Sequence, residues 1–171
     1  MRSLLYLCLL LAVGLLPRPT NAQVDSAQVY EARKFDFWLG QWDVYRYGSE
    51  TLVGHSTIET IIDGLGIQET YRSITSPYHG TSLNKYNART GQWQQFWVDN
   101  SGATLELSGG IINNSMVLAN RVTTPEGTLL NRITWTPKER GEVRQTWDTS
   151  RDEGISWVTI FDGLYVPVKQ D

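Results

Sequence analysis

The stretch GTSLNKYNARTGQWQQFWVDNSG, Gly80 to Gly102, decides the fold. It holds two β-rich runs, Thr81 to Tyr86 and Trp93 to Asp99, joined across Arg89-Thr90-Gly91 and closed by Asn100-Ser101-Gly102. Links this short join antiparallel neighbours, because parallel strands need a crossover of a dozen or more residues. Within the second run, period two sets Trp93, Gln95, Trp97 and Asp99 on one face and Gln94, Phe96 and Val98 on the other.

The same grammar extends in both directions. Further strands are expected at Gln41 to Tyr47, Val53 to Ile62, Ile67 to Thr75, Thr104 to Ile112, Met116 to Val122, Leu129 to Thr136, Val143 to Thr149 and Ser156 to Leu164. Turn residues separate them, among them Gly48-Ser49, Asp63-Gly64, Asn113-Asn114-Ser115 and Glu153-Gly154, which supply the positive φ that tight turns demand. Regular short strands with such punctuation indicate an all-β sandwich or barrel. A meander of eight to ten strands leaves two exposed edges unless it closes, so a single antiparallel up-and-down β-barrel ranks above the sandwich. At this strand number the interior holds about one small ligand. The one helix expected lies at Asp25 to Lys34, with Asp25 or Ser26 as its cap and Val29 and Ala32 along one side.

Residues 1–22 read as a secretory leader: Arg2, an apolar run from Leu4 to Leu16, then small residues at Thr20-Asn21-Ala22. The apolar run is too short to span a bilayer as a helix, which takes about 20 residues. Cleavage would leave Gln23 first and one domain over 23–171, with 13 basic against 18 acidic residues. A net charge of −5 offers nucleic acid no basic patch, and no later segment is apolar enough for a membrane-spanning helix. The expected location is the periplasm or medium. Cys8, the only cysteine, falls in the leader, which removes disulfides, zinc–thiolate sites and a cysteine nucleophile from the mature chain.

The opening FDFWLGQWDV, Phe35 to Val44, places a Gly and a Trp at the mouth of the first strand and is similar to the Gly-x-Trp of lipocalins and other calycins. With Gly80 to Gly102, LSGG at 107–110, RITW at 132–135 and VRQTWDTSRDEGISWVTIFDGLY at 143–165, it resembles a bacterial family of exported proteins of unknown function. The resemblance implies a calycin-like fold and carries no reaction, cofactor or catalytic residue. Gln41 stands where an acidic residue is common in that family, and Asp152-Glu153-Gly154 replaces Asp-Gly-Gly.

The ligand-binding candidates follow from the alternation. If Trp93 and Trp97 point inward, Gln95 and Asp99 come with them. That arrangement is favoured because two exposed tryptophans would form an apolar patch that monomers seldom show. Val143, Gln145 and Trp147 share a face against Arg144, Thr146 and Asp148. Arg132 opposes Trp135, so an inward Arg132 requires an outward Trp135. Either arginine, if buried and paired, would suit a ligand carboxylate or phosphate; otherwise it forms an ordinary exterior ion pair.

The expected function is therefore the holding of a small apolar or aromatic molecule with a polar end. Trp93, Trp97 and Trp147 would form the wall, and Gln95, Asp99 and Gln145 would fix orientation. Two alternatives compete: an enzyme using the same cavity, with Asp99 as general base and Arg132 or Arg144 stabilising negative charge, and a scaffold with a filled core. Asp99 and Glu106 across their hairpin form a candidate carboxylate pair. The histidines, His55 and His79, are scattered. A haem-holding barrel such as the nitrobindin-like calycins would need His79 to fold inward, so no cofactor or metal is expected.

Overall fold

The computed structural model describes residues 26–169; the leader expected over 1–22 and the Asp25 cap lie outside the described residues. Helix α1, Ser26–Ala32, is followed by a single 3-10 turn at Asp36–Trp38. Ten strands then run β1 Gly40–Arg46, β2 Leu52–Ile61, β3 Gly66–Ser73, β4 His79–Asn87 and β5 Gln92–Asp99. They continue as β6 Thr104–Ile112, β7 Ser115–Thr124, β8 Gly127–Pro137, β9 Val143–Ser150 and β10 Val158–Pro167. Every expected strand is present.

Each strand pairs antiparallel with its chain neighbours, and β1 pairs with β10, with Val44 opposite Tyr165, so the sheet is a closed up-and-down barrel. Closure removes the two edges that an open meander would leave unpaired. Local chemistry sets the connections: Asn113 and Asn114 both take positive φ, 47° and 63°, in a two-residue hairpin between Ile112 and Ser115. Both central positions of that turn type require the left-handed region, which Asn tolerates.

The last strand starts two residues later than expected and continues through Pro167. Its first residues are held in a loop instead, where Asp152 accepts hydrogen bonds from the Ser156 amide at 2.9 Å and the Ser150 hydroxyl at 2.8 Å. A bulge between Thr159 and Phe161 then displaces Ile160 at the rim. Such bulges re-aim side chains where strands meet an opening.

One end of the barrel is plugged by aromatic rings. Phe35 stacks on Trp38 with centroids 5.0 Å apart and meets Trp93 and Trp135 edge-on at 5.6 and 5.2 Å. Trp38 also reaches Tyr165 at 6.1 Å. Trp42 is buried beside this cluster and donates its indole N–H to the Trp38 carbonyl at 3.0 Å. The 3-10 segment and Trp42 thus close this end of the barrel together. In α1 Ala32 is buried, whereas Val29 is 41% exposed and so does not share its packing. No helix among the described residues is long and apolar enough to cross a membrane.

Candidate functional site

Below the plug the barrel holds a cavity of about 240 Å³. Its wall is aromatic and aliphatic: Trp97 from β5, Ile133 and Trp135 from β8, Trp147 from β9, and Phe161 and Tyr165 from β10. Ile160, carried on the bulge, also lines it and is 54% exposed, so the cavity reaches the rim opposite the plug.

Alternation in β5 turns Trp93, Gln95 and Trp97 inward, as favoured from sequence, but they do three different things. Trp93 is fully buried in the plug against Phe35 and stands outside the cavity lining. Trp97 is wall. Gln95 lines the cavity and opens a buried polar chain across the strands: its amide donates to Asn84 Oδ1 at 2.8 Å. Asn84 donates to the Ser82 hydroxyl at 2.9 Å, and Ser82 donates to Glu69 Oε2 at 3.2 Å. Ser56 donates to Glu69 Oε1 at 3.2 Å from β2, and the Tyr165 hydroxyl meets the same carboxyl from β10.

Glu69 is the titratable acid that the sequence reading missed, and the wall residues Tyr78, Trp135, Phe161 and Tyr165 were not among its site candidates either. It is 4% exposed and lines the cavity. Burial pushes its carboxyl up to about 7, against the opposing pull of hydrogen bonds from Ser82, Ser56 and Tyr165. A signal was present: Ile67, Glu69 and Tyr71 share one face of β3, and both apolar neighbours are buried.

Asp99 does not line the cavity. It sits at the rim, where Oδ2 accepts hydrogen bonds from the Tyr78 hydroxyl and the Trp97 indole N–H, each at 3.0 Å, and Oδ1 accepts from the Ser101 amide at 2.8 Å. Partial burial pushes this carboxyl up, but the bonds from Ser101, Trp97 and Tyr78 outweigh it and hold it at about 2. Burial and Asp99 together push the Tyr78 hydroxyl up to about 12. Asp99 thus acts as a clamp on two wall residues. Glu106 is exposed on the opposite face of its strand, paired with Phe96, so the expected Asp99–Glu106 carboxylate pair does not form.

The two arginines stand on the outer wall, because Trp135 takes the inward face and forces Arg132 outward. Arg132 pairs with Asp148 at 3.2 Å and lies over the Trp157 ring at 4.1 Å. Arg144 binds Asp162 with two bonds, at 2.8 and 2.7 Å, and lies over Tyr47 at 3.7 Å. Neither reaches the cavity lining.

Gln145 and Trp147 do line it. Trp147 donates its indole N–H to Asn131 at 3.0 Å. The Gln145 amide oxygen is buried and finds no partner in the protein. The Trp135 indole N–H, also buried at the cavity wall, is likewise unpartnered. Most buried polar groups are paired; besides these two, Asp36 Oδ1 and the indole N–H groups of Trp38 and Trp93, outside the cavity lining, are also unpartnered among the described residues.

His55 and His79 are both exposed. His55 contacts Asp43 at 2.7 Å, and His79 contacts the Pro77 carbonyl at 3.1 Å, so neither offers a ring nitrogen to the interior. Among the described residues no group of three or more His, Cys, Asp or Glu side chains could hold a metal ion. In comparison with known proteins, no family model matches the chain and no curated protein matches it in sequence.

Proposed function

We propose that this protein is exported and binds a small molecule inside the barrel, entering at the rim and lying against Trp97, Trp135 and Trp147. The observation that carries this reading is the unpartnered Gln145 amide oxygen on a mostly apolar cavity. Binding sites pair such linings with a few placed polar groups. A volume of about 240 Å³ is just below the roughly 300–1,000 Å³ of sites for drug-sized ligands, which suits a molecule of one or two rings. The ligand's polar end would meet Gln145, Gln95 and the Trp135 N–H, rather than Asp99.

An enzymatic reading through Asp99 has less support. Its carboxyl, held at about 2 and occupied by three donor residues, is a poor proton acceptor near neutrality, and no arginine lines the cavity beside it. A scaffold with a filled core fits poorly with a cavity of this size. Native mass spectrometry of the protein purified without denaturation tests the binding reading, backed by quenching of tryptophan fluorescence on addition of small aromatic compounds. A protein that carries nothing and responds to none of a broad set would return the scaffold reading.

A further inference from the structure

Among the described residues that line the cavity, Glu69 is the one that can carry a formal charge, and the rest are apolar, aromatic or amide. Arg132 and Arg144 are spent on outer-wall pairs with Asp148 and Asp162. A ligand carboxylate or phosphate would therefore find no cation to meet it, and would face a carboxyl. A positively charged ligand finds three complementary features. Glu69 offers a counter-charge, the Gln145 oxygen offers an unused acceptor, and the faces of Trp97, Trp135 and Trp147 offer the electron-rich rings that attract cations. We propose that the barrel holds a small protonated amine with an apolar body, with the Glu69 carboxylate as its counter-ion and the Gln145 amide oxygen as a further acceptor. This assignment rests on the small-molecule reading above and names its ligand class.

The surroundings of Glu69 fit the role. Ser56 from β2 and Ser82 from β4 each donate one hydrogen bond to a different carboxyl oxygen. The titratable groups that meet it are Tyr165 from β10 and Tyr71 from its own strand, both kept neutral by burial. No Lys, Arg or His among the described residues lining the cavity competes for the charge. A buried carboxylate without a cation is costly, and burial accordingly raises Glu69 toward the neutral form at about 7. An ammonium group brought beside it restores the ionised form, so amine binding is linked to loss of the Glu69 proton.

The test uses three compounds of matched size titrated into the purified protein and followed by tryptophan fluorescence: phenethylamine, phenethyl alcohol and hydrocinnamate. The amine is expected to bind about tenfold tighter than the alcohol at pH 8, and the acid more weakly than either. Glu69→Gln is expected to remove the amine's advantage over the alcohol. If that variant does not fold, the wild-type protein carries the test. Amine affinity should rise about tenfold from pH 6 to pH 8 as the Glu69 proton is lost, while the alcohol's stays flat. An alcohol that binds as tightly as the amine, an acid that binds tightest, or a flat amine profile would overturn the amine assignment while leaving the binding cavity in place. Failure of all three to bind at millimolar concentration would overturn this assignment, while the small-molecule reading itself falls only if the protein also carries nothing in native mass spectrometry and responds to none of the broad set.

Discussion

The indole of Trp97 lies across Gly80. A Cβ at position 80 would collide with Cζ2 of that ring and stand 2.7 Å from Cη2 and 2.6 Å from the Val98 carbonyl oxygen. The bare glycine therefore lets the indole lie flat on the neighbouring strand, where its N–H reaches Asp99. The same device recurs next door, where a Cβ at Gly54 would stand 2.5 Å from the Tyr71 hydroxyl.

Gly80→Ala is accordingly expected to push the Trp97 ring off the wall and destabilise the fold by about 1 to 3 kcal/mol, the usual cost of overpacking. Urea unfolding measures the loss, and a changed tryptophan emission maximum in the folded variant reports the displaced ring. A variant as stable as the wild type with unchanged emission would mean that the contact relaxes without cost.

Trp42→Ala should cost about 3 to 5 kcal/mol, as buried aromatic truncations do. The ring is 4% exposed, meets Tyr165 at 6.2 Å and ties β1 to the plug through its bond to the Trp38 carbonyl. Denaturant titration reads the change directly, and a loss below about 1 kcal/mol would show that the plug holds without it.

Glu69 makes stability depend on pH in the direction opposite to most carboxylates. Its folded value, about 7, lies above the ordinary 4.5, so between these limits the folded state binds more protons than the unfolded one. Stability contributed by the neutral carboxyl is whole below about 4.5 and is lost as the pH rises through 7. Asp99 and Asp152, both held at about 2, stay ionised throughout this window. The stability difference between Glu69→Gln and the wild type should therefore move in favour of the variant by up to about 3 kcal/mol between pH 5 and pH 8. Urea unfolding at four pH values checks this, and a constant difference would mean that the carboxyl titrates near its ordinary value.

Gln145→Leu should separate binding from folding. The amide oxygen it removes has no partner in the protein, so the apolar replacement is expected to leave thermal stability equal or slightly higher. Binding of a ligand that uses that oxygen should weaken by about 1 to 3 kcal/mol. Thermal denaturation and fluorescence titration on one preparation read both effects. Equal loss of stability and binding would make Gln145 a packing residue.

The strands were legible because nearly every tight link carries a residue suited to positive φ, as at Asn113-Asn114, and because ten short antiparallel runs leave closure as the way to pair both edges. The inward face of β5 was legible from its tryptophans. Less visible was the division of labour along that face, since depth in a barrel depends on stagger between strands, which period two does not encode. Trp93 and Trp97 look equivalent in the chain, yet one is plug and the other wall. The place of Arg132 hung on Trp135, an either-or that composition leaves open and packing settles. Glu69 escaped notice because Gln68, Thr70 and Arg72 surround it with polar neighbours. Only the burial of Ile67 and Tyr71 reveals its side.

In the proposed binding role, the plug of Phe35 and Trp38 would shut one end of the barrel to the ligand. A molecule seated beneath those rings would then leave past Tyr78, Phe161 and Ile160, the way it came, and would not be displaced from behind by the next arrival. Occupancy in such a blind pocket turns over by departure first and replacement second. Residence time would then be set by how often the rim side chains swing aside, with Asp99, through its grip on Tyr78 and Trp97, as the latch that slows them.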